Sequence, residues 1–183
     1  MDLLAGNFLI ASPHLPDPNF YRSVVLIIQH NDEGAFGVIL NRPTDKTASE
    51  IWELFSDEPC SYEQPIYLGG PVAGPLIALH SDISLSEAEV LPGVHLSTDR
   101  SNLESLVRQD IQPLRLFVGY SGWAADQLEG ELEVGGWLTS RAVREDVFAD
   151  HDSIWNQVAS RIGLEILSPT LRQEFVPDDP SVN

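Results

Sequence analysis

Hydrophobic and polar residues along the chain predict short strands and helices that are interleaved without strict alternation. The strongest segment is the unbroken aliphatic run from Val24 to Ile28, which predicts a strand buried on both faces. A second strand pattern spans residues 35–41, and the polar residues 31–34 between the two predict a tight turn. Together they predict a β-hairpin at the centre of the fold.

Weaker patterns predict the remaining elements. Apolar runs bounded by glycine and proline indicate strands at residues 7–11, 65–69, 76–80, 114–120 and 136–139. Apolar residues at helical spacing indicate about four helices, at 47–55, 98–109, 123–132 and 153–162. This mixture predicts an α+β fold rather than a doubly wound sheet.

Length and composition predict a single domain. The chain has 183 residues, of which 43% are hydrophobic, and this is enough to bury a substantial core. The stretch 177–183 is rich in proline and aspartate and has the composition of a disordered terminus. We therefore predict one domain over residues 1–176.

The charge of the chain limits its partners. There are 28 acidic and 10 basic residues, which gives a formal net charge of −18. Nucleic acids and anionic lipids attract proteins through Lys and Arg, so this charge argues against direct DNA binding and against a membrane surface. The partner that we expect is a small anionic ligand or another protein.

The first basic residue is Arg22, and no basic stretch precedes the N-terminal apolar residues, so no secretory signal is visible. Cys60 is the single cysteine, which excludes an intrachain disulfide and a cysteine-rich zinc site. The five histidines show no metal-binding spacing. These features predict a cytoplasmic protein with no metal and no cofactor.

The predicted hairpin places polar residues at its open end. A turn at residues 31–34 sets His30 opposite Ala35 and Ser23 opposite Arg42. Arg22 and Asn41 then lie at the same end.

The proline-rich loop that precedes the hairpin enters this end and brings His14 and Asp17. Guanidinium and amide groups bind oxyanions well, so we predict an anion site made of Arg22, Arg42, Asn41 and His14, with Asp17 orienting an arginine. The alternative is structural: Arg22 pairs with Asp17 and Arg42 pairs with Asp45 to hold the loop.

Two residues are candidates for catalysis. Ser121 lies in Gly119-Tyr120-Ser121-Gly122-Trp123, where a strand and a following helix are predicted, but the spacing differs from that of a nucleophile elbow. His80 ends an apolar run, where a histidine bonded to the backbone is the simpler interpretation. The segment 68–72 contains Gly69 and Gly70 and is best interpreted as a bend between two strands.

Several motifs in order resemble the YqgE/AlgH family of bacterial proteins. They are Gly6-Asn7-Phe8-Leu9-Ile10-Ala11-Ser12-Pro13, Asp17-Pro18-Asn19-Phe20-Tyr21-Arg22-Ser23, Gly34-Ala35-Phe36-Gly37-Val38-Ile39-Leu40-Asn41-Arg42-Pro43, Gly69-Gly70-Pro71-Val72, Leu79-His80, Gly119-Tyr120-Ser121-Gly122-Trp123, Gln127-Leu128-Glu129 and Trp137. The resemblance implies an α+β fold of bent, coiled sheets. Most members have no assigned function, some carry a transcriptional-regulator label, and the family supplies no established catalytic residues.

Three hypotheses follow. The leading one is a regulatory or ligand-binding protein without enzymatic activity, with its anion site at the open end of the hairpin. The alternative is a small hydrolase or transferase that acts on a phosphorylated or acyl substrate, with Ser121 or His80 as the chemical residue and a helix N-terminus after Gly122 as oxyanion support. The third is a transcriptional regulator that acts indirectly.

Overall fold

The computed structural model describes residues 4–12, 15, 17–53, 56, 57, 60, 62–109 and 113–163. The strands in this part are β1 (Asn7–Ala11), β2 (Val24–Asn31), β3 (Gly34–Ile39), β4 (Pro43–Thr47), β5 (Pro65–Leu68), β6 (Val72–His80), β7 (Ala88–Leu91), β8 (Val94–Ser97), β9 (Leu114–Ala124) and β10 (Trp137–Arg141). The helices are α1 (Ala48–Trp52), α2 (Arg100–Arg108), α3 (Gln127–Glu133), α4 (Arg144–Val147) and α5, which covers residues 154–163. None of these helices is long and apolar enough to cross a membrane.

The strands form one curled sheet with the spatial order β10-β1-β2-β3-β9-β6-β8-β7. β5 pairs in parallel with β9 and antiparallel with β4, while every other pairing is antiparallel. The sheet bends into a half-barrel, so that its two ends approach each other near Gly6 and Val90. The predicted α+β fold of bent, mixed sheets around the hairpin is therefore confirmed.

The central hairpin is confirmed, and its first strand supplies two hydrophobic cores at once. Val24 and Leu26 point into one core, and Val25 and Ile27 point into another, because successive side chains of a strand lie on opposite faces. All four side chains are fully buried. This explains why the aliphatic run has no polar residue.

The predicted register of the hairpin is correct near the turn and wrong near the open end. His30 faces Ala35 as expected, but a β-bulge between Ile27 and Gln29 shifts the pairing by one residue, so that Val25 faces Ile39. A bulge places two residues against one on the partner strand. Ser23 therefore does not face Arg42.

The longest strand, β9, differs most from the prediction. The sequence indicates that it ends at residue 120 and that a helix starts at 123, whereas β9 continues to Ala124 and α3 begins at Gln127. The extra residues pair with β3, from Ser121 opposite Gly37 to Ala124 opposite Gly34. Long-range strand pairing thus overrides the local helical pattern, as it often does for short segments.

Other short elements were not predicted. β4 is polar and largely exposed, and β7, β8 and α4 have only four residues each, so that none shows a clear period. The segment 68–72 is a bend between β5 and β6, as interpreted. A Cβ on Gly69 would lie 2.3 Å from the Gly119 carbonyl oxygen, which shows how closely this bend approaches β9. The proposed domain limit at 176 and the tail 177–183 lie outside the described residues.

Candidate functional site

The loop before β2 is folded onto the core by an aromatic side chain. It forms a 3-10 turn whose first N–H groups are capped by Asp17, which accepts a hydrogen bond from the Asn19 N–H at 2.8 Å. Phe20, in this turn, packs on the Trp123 and Trp137 rings at centroid distances of 6.0 and 5.1 Å. The loop therefore has a defined position beside the open end of the hairpin.

Asn41 fixes the direction in which the loop enters β2. Its Nδ2 donates to the Arg22 carbonyl oxygen at 2.8 Å, and its Oδ1 accepts from the Val24 N–H at 2.9 Å. Arg22, between these two bonds, has a φ of 51°, a left-handed conformation that is unfavourable for residues other than glycine. Asn41 thus positions Arg22, and its oxygen and one of its N–H groups are committed to the main chain.

The Arg22 side chain lies over aromatic rings rather than beside a carboxylate. Its guanidinium carbon is 5.2 Å from the centroid of Trp155 in α5 and 5.6 Å from that of Tyr21. Tyr21 is 71% exposed. Cation–π contacts hold the guanidinium without neutralising its charge. Arg22 therefore presents a positive charge to solvent.

Arg42 contacts the main chain of Tyr21. Its Nη2 donates to the Tyr21 carbonyl oxygen at 3.2 Å, which leaves other guanidinium N–H groups available. Burial lowers the pKa of the half-buried Arg42, and the negative charge of Asp17 opposes this effect. Neither pair of the structural alternative, Arg22 with Asp17 or Arg42 with Asp45, forms an ion pair within 4.0 Å in the described part of the chain.

A small, mostly apolar pocket reaches Tyr21, the residue that both arginines contact. It has a volume of about 240 Å³ and reaches from the end of β1 to Tyr21. The residues that line it are Ala11, Ser12, Leu15, Asp17, Pro18, Phe20 and Tyr21. An anionic group on the arginines can therefore extend an apolar body into the protein surface.

The structure brings together four of the five residues predicted to form the site. Asp17, Arg22, Asn41 and Arg42 meet around the open end of the hairpin, while His14 lies outside the described residues. The sequence analysis missed Tyr21 and Trp155. The first is a neighbour of Arg22 in the chain, so it could have been included, whereas α5 comes from a distant part of the chain and only the fold places Trp155 there.

The catalytic candidate Ser121 is fully buried within β9, and its Oγ donates to the Gly69 carbonyl oxygen at 3.1 Å. The expected helix N-terminus after Gly122 is wrong, because β9 continues through this point to Ala124. The geometry that would make Ser121 a nucleophile with oxyanion support is therefore missing. The hydroxyl instead links two neighbouring segments of the sheet.

The other candidate, His80, lies in a buried polar cluster. Its Nδ1 accepts from the Asp82 N–H at 3.2 Å, so the ring proton is on Nε2, which lies 2.9 Å from Ser97 Oγ. His80 therefore donates to the serine, the reverse of what a general base does. Both side chains are fully buried. Burial lowers the pKa of His80, and the nearby His95 adds to this effect.

Stability should therefore decrease in mild acid. The unfolded chain binds a proton on residue 80 below about pH 6.5, whereas the folded chain keeps His80 neutral to a lower pH. The free energy of unfolding then decreases as the pH falls from 6.5 towards that lowered pKa. For one proton, the decrease is at most about 1.4 kcal/mol per pH unit. Urea unfolding at pH 7.5 and 5.5 measures this loss.

His80→Gln is the matched variant, because its amide can donate to Ser97 but does not titrate. We expect a smaller loss of stability between pH 7.5 and 5.5 in this variant. An equal loss in both proteins would show that another group causes it.

One group of potential metal ligands occurs in the described ranges. The ligand atoms of Asp150, His151 and Asp152 lie within 4.8 Å of one another. These three residues are consecutive in a turn, and both carboxylates are exposed. Exposed acidic groups of this kind are common on acidic proteins, so the cluster supports no metal assignment.

Comparisons with known proteins agree with one another. The family model DUF179, described as AlgH-like, matches residues 8–167. A UPF0301 protein of Chlorobaculum tepidum is 37% identical over 162 residues, which cover 85% of this chain and 84% of the relative. A UPF0301 protein of Thioalkalivibrio sulfidiphilus is 38% identical over 169 residues, which cover 88% of this chain and 90% of the relative.

Solved structures show the same similarity. The solution structure of the AlgH protein from Pseudomonas aeruginosa aligns with a TM-score of 0.77 and 31% identity, over 91% of this chain and 93% of that protein. A crystal structure of a Corynebacterium diphtheriae protein aligns with a TM-score of 0.72 and 25% identity, over 88% of each chain.

Proposed function

The chain belongs to the AlgH-like family, and from the geometry described above we propose that this member is a binding protein for a small organic anion, with its site at the open end of the β2–β3 hairpin. The observation that carries the proposal is the pair of arginines that contact Tyr21, Arg22 at its ring and Arg42 at its carbonyl oxygen. Arg22 and Arg42 have no carboxylate partner within 4.0 Å in the described part of the chain.

Electrostatics supports this choice of ligand. The protein has a net charge of −18, and Asp17 is the carboxylate whose charge acts on Arg42. Two guanidinium groups that contact the same residue and form no ion pair within 4.0 Å in the described part of the chain are still a local exception to the surrounding negative field. Guanidinium groups bind carboxylates and phosphates through paired N–H donors. An anion that reaches this surface exchanges hydration for these charge-assisted hydrogen bonds.

Preorganisation supports it as well. The two hydrogen bonds of Asn41 hold the Arg22 main chain in its left-handed conformation. The Trp155 ring contacts the Arg22 guanidinium. Non-glycine residues in this conformation cost about 1–2 kcal/mol and are concentrated at functional sites. The arginine is thus fixed before a ligand arrives, which lowers the entropy that binding costs.

The adjoining pocket suggests the remainder of the ligand. Phe20, Pro18 and Leu15 line it with apolar surface, and its volume of about 240 Å³ suits a short aliphatic or aromatic group. We therefore propose a ligand with one carboxylate or phosphate and an apolar body. The protein would act in the cytoplasm, and a regulatory effect would follow from ligand binding rather than from contact with DNA.

A screen of ligands on purified protein tests the proposal. Carboxylates and phosphate esters with apolar groups are added, and the midpoint of thermal unfolding is measured. A ligand at 100 times its Kd stabilises the native state by about 2.7 kcal/mol. We expect the stabilising ligands to lose roughly tenfold or more of their affinity in Arg22→Gln, because a charge-assisted hydrogen bond is lost.

Arg100→Gln is the matched control. It removes one positive charge from α2, where Arg100 pairs with Glu104 at 2.9 Å, and it should leave ligand affinity unchanged. Arg22→Lys keeps the charge but loses the forked donors, so intermediate affinity is expected. Equal binding by the parent protein and Arg22→Gln, or no anion that binds at all, would refute the site.

A further inference from the structure

A larger cleft lies where the half-barrel fails to close. The curled sheet ends in two edge strands, β7 and β10, and the cleft between them has a volume of about 890 Å³. Residues from the end of β7, the start of β1 and the segment from Arg141 to Glu145 line it. This volume is in the range of pockets that bind nucleotides and other small ligands.

The floor of the cleft is fixed by hydrogen bonds. Gly6 N–H donates to the Ile27 carbonyl oxygen at 2.9 Å, and the Gly6 carbonyl oxygen accepts from the Ala142 N–H at 3.1 Å. The Asn7 Nδ2 donates to the carbonyl oxygens of Leu4 and Ala5 at 3.2 and 3.4 Å. The cleft is therefore formed in the folded protein without a ligand.

Two arginines line this cleft, Arg141 and Arg144. Both are exposed, and neither forms an ion pair within 4.0 Å in the part of the chain that the structure describes. The chain has 10 basic residues against 28 acidic ones, so two arginines that line one concave site and form no such ion pair are unusual. Guanidinium groups on one cleft match the charge of a phosphate and can bind its oxygens through paired N–H donors.

Gly93 shapes the position of Arg144. It has a φ of +76°, and a Cβ added to it would lie 3.1 Å from Arg144 Cδ. Because glycine occupies this turn, the aliphatic stem of Arg144 can cross it closely. The close contact with Gly93 therefore restricts the Arg144 side chain more than is usual for an exposed arginine.

The remaining residues that line the cleft indicate the other chemical groups of the ligand. Val90, Pro92 and Val143 contribute apolar surface, on which a flat heterocyclic ring can pack. Glu145 is the one carboxylate among the lining residues, and it can accept hydrogen bonds from hydroxyl or amino groups. A phosphate, hydroxyl groups and an apolar ring are the three parts of a nucleotide.

We propose that the cleft between β7 and β10 is a second binding site, which takes a nucleotide through Arg141 and Arg144. The site is separate from the one at Arg22 and does not depend on it. Phosphate contacts supply most of the affinity, which should fall as ionic strength rises.

Two-dimensional NMR of ¹⁵N-labelled protein tests this proposal with ADP, adenosine and inorganic phosphate as probes. We expect ADP to shift the amide signals of Gly6 and Gly93 in a saturable manner. Inorganic phosphate should shift them at higher concentration, and adenosine should leave them unchanged. The variant Arg144→Gln should weaken ADP binding roughly tenfold or more, because it removes charge-assisted hydrogen bonds.

Arg100→Gln is the control, because Arg100 pairs with Glu104 in α2 and lines neither site, and this variant should leave ADP affinity unchanged. Arg141→Gln provides a second variant in case Arg144→Gln alters the fold, which the spectrum itself reports. The proposal is overturned if ADP and inorganic phosphate leave Gly6 and Gly93 unaffected, if both arginine variants bind as the parent does, or if the shifts map to Tyr21 and Arg22 instead.

Discussion

Gly34→Ala is expected to lower the free energy of unfolding by about 2–6 kcal/mol, the sum of backbone strain and steric overlap. Gly34 begins β3 with a φ of +131°, and an added Cβ would lie 2.1 Å from the Trp123 carbonyl oxygen. The alanine can be accommodated only if β3 separates from the end of β9, where Gly34 faces Ala124. Urea unfolding followed by far-UV circular dichroism measures the loss.

Gly130→Ala is the matched control. Gly130 lies within α3, is exposed, and has no atom within 4 Å of an added Cβ. Alanine there should stabilise the protein by up to about 1 kcal/mol, because glycine is a poor helix former. If Gly34→Ala lowers the free energy of unfolding and Gly130→Ala raises it, the close approach of β3 and β9 is the cause of the loss at Gly34. A Gly34→Ala protein as stable as the parent would contradict it.

Glu131→Ala is expected to lower the free energy of unfolding by about 2–4 kcal/mol, because two buried N–H donors are left without an acceptor. Glu131 Oε2 accepts hydrogen bonds from Trp123 Nε1 at 3.0 Å and from Trp137 Nε1 at 2.7 Å. Both indole rings are at least 95% buried. One carboxylate oxygen of α3 thus holds together β9, β10 and the helix.

The conservative variant Glu131→Gln separates the acceptor from the charge. Its amide oxygen can still accept from the two indoles, so we expect less than half of the loss seen with alanine. Urea unfolding monitored by tryptophan fluorescence measures both variants. Equal losses in the two would show that the negative charge, and not the acceptor, is what stabilises this region.

Glu131 should also matter for the anion site that we propose at Arg22. Phe20 packs on Trp123 and Trp137, and the turn that contains it leads directly into Tyr21 and Arg22. A displacement of the two indoles therefore removes the surface on which the loop rests. Glu131→Ala should weaken anion binding at Arg22 more than ADP binding at Arg144, because the cleft has its own hydrogen-bonded floor.

The candidate site was largely accessible to sequence reasoning, for a physical reason. Arg22 lies just before β2 and Asn41 just after β3, and the short turn between the two strands brings such flanking residues together without help from the rest of the chain. Trp155 was inaccessible, because α5 reaches Arg22 only when the whole sheet is formed. The cleft at Arg141 and Arg144 was also inaccessible, since it exists only between strands at opposite ends of the sheet.

The sequence by itself determined the hairpin, the burial of β2 on both faces, the bend at 68–72 and the α+β class. These features depend on periodicity and on the conformations that nearby residues allow, which are local properties. Only the tertiary structure decided the bulge in β2, the length of β9 and the open edges that form the cleft. Each of these depends on which distant strands pair, and the free energy of such pairing comes from contacts that no local pattern contains.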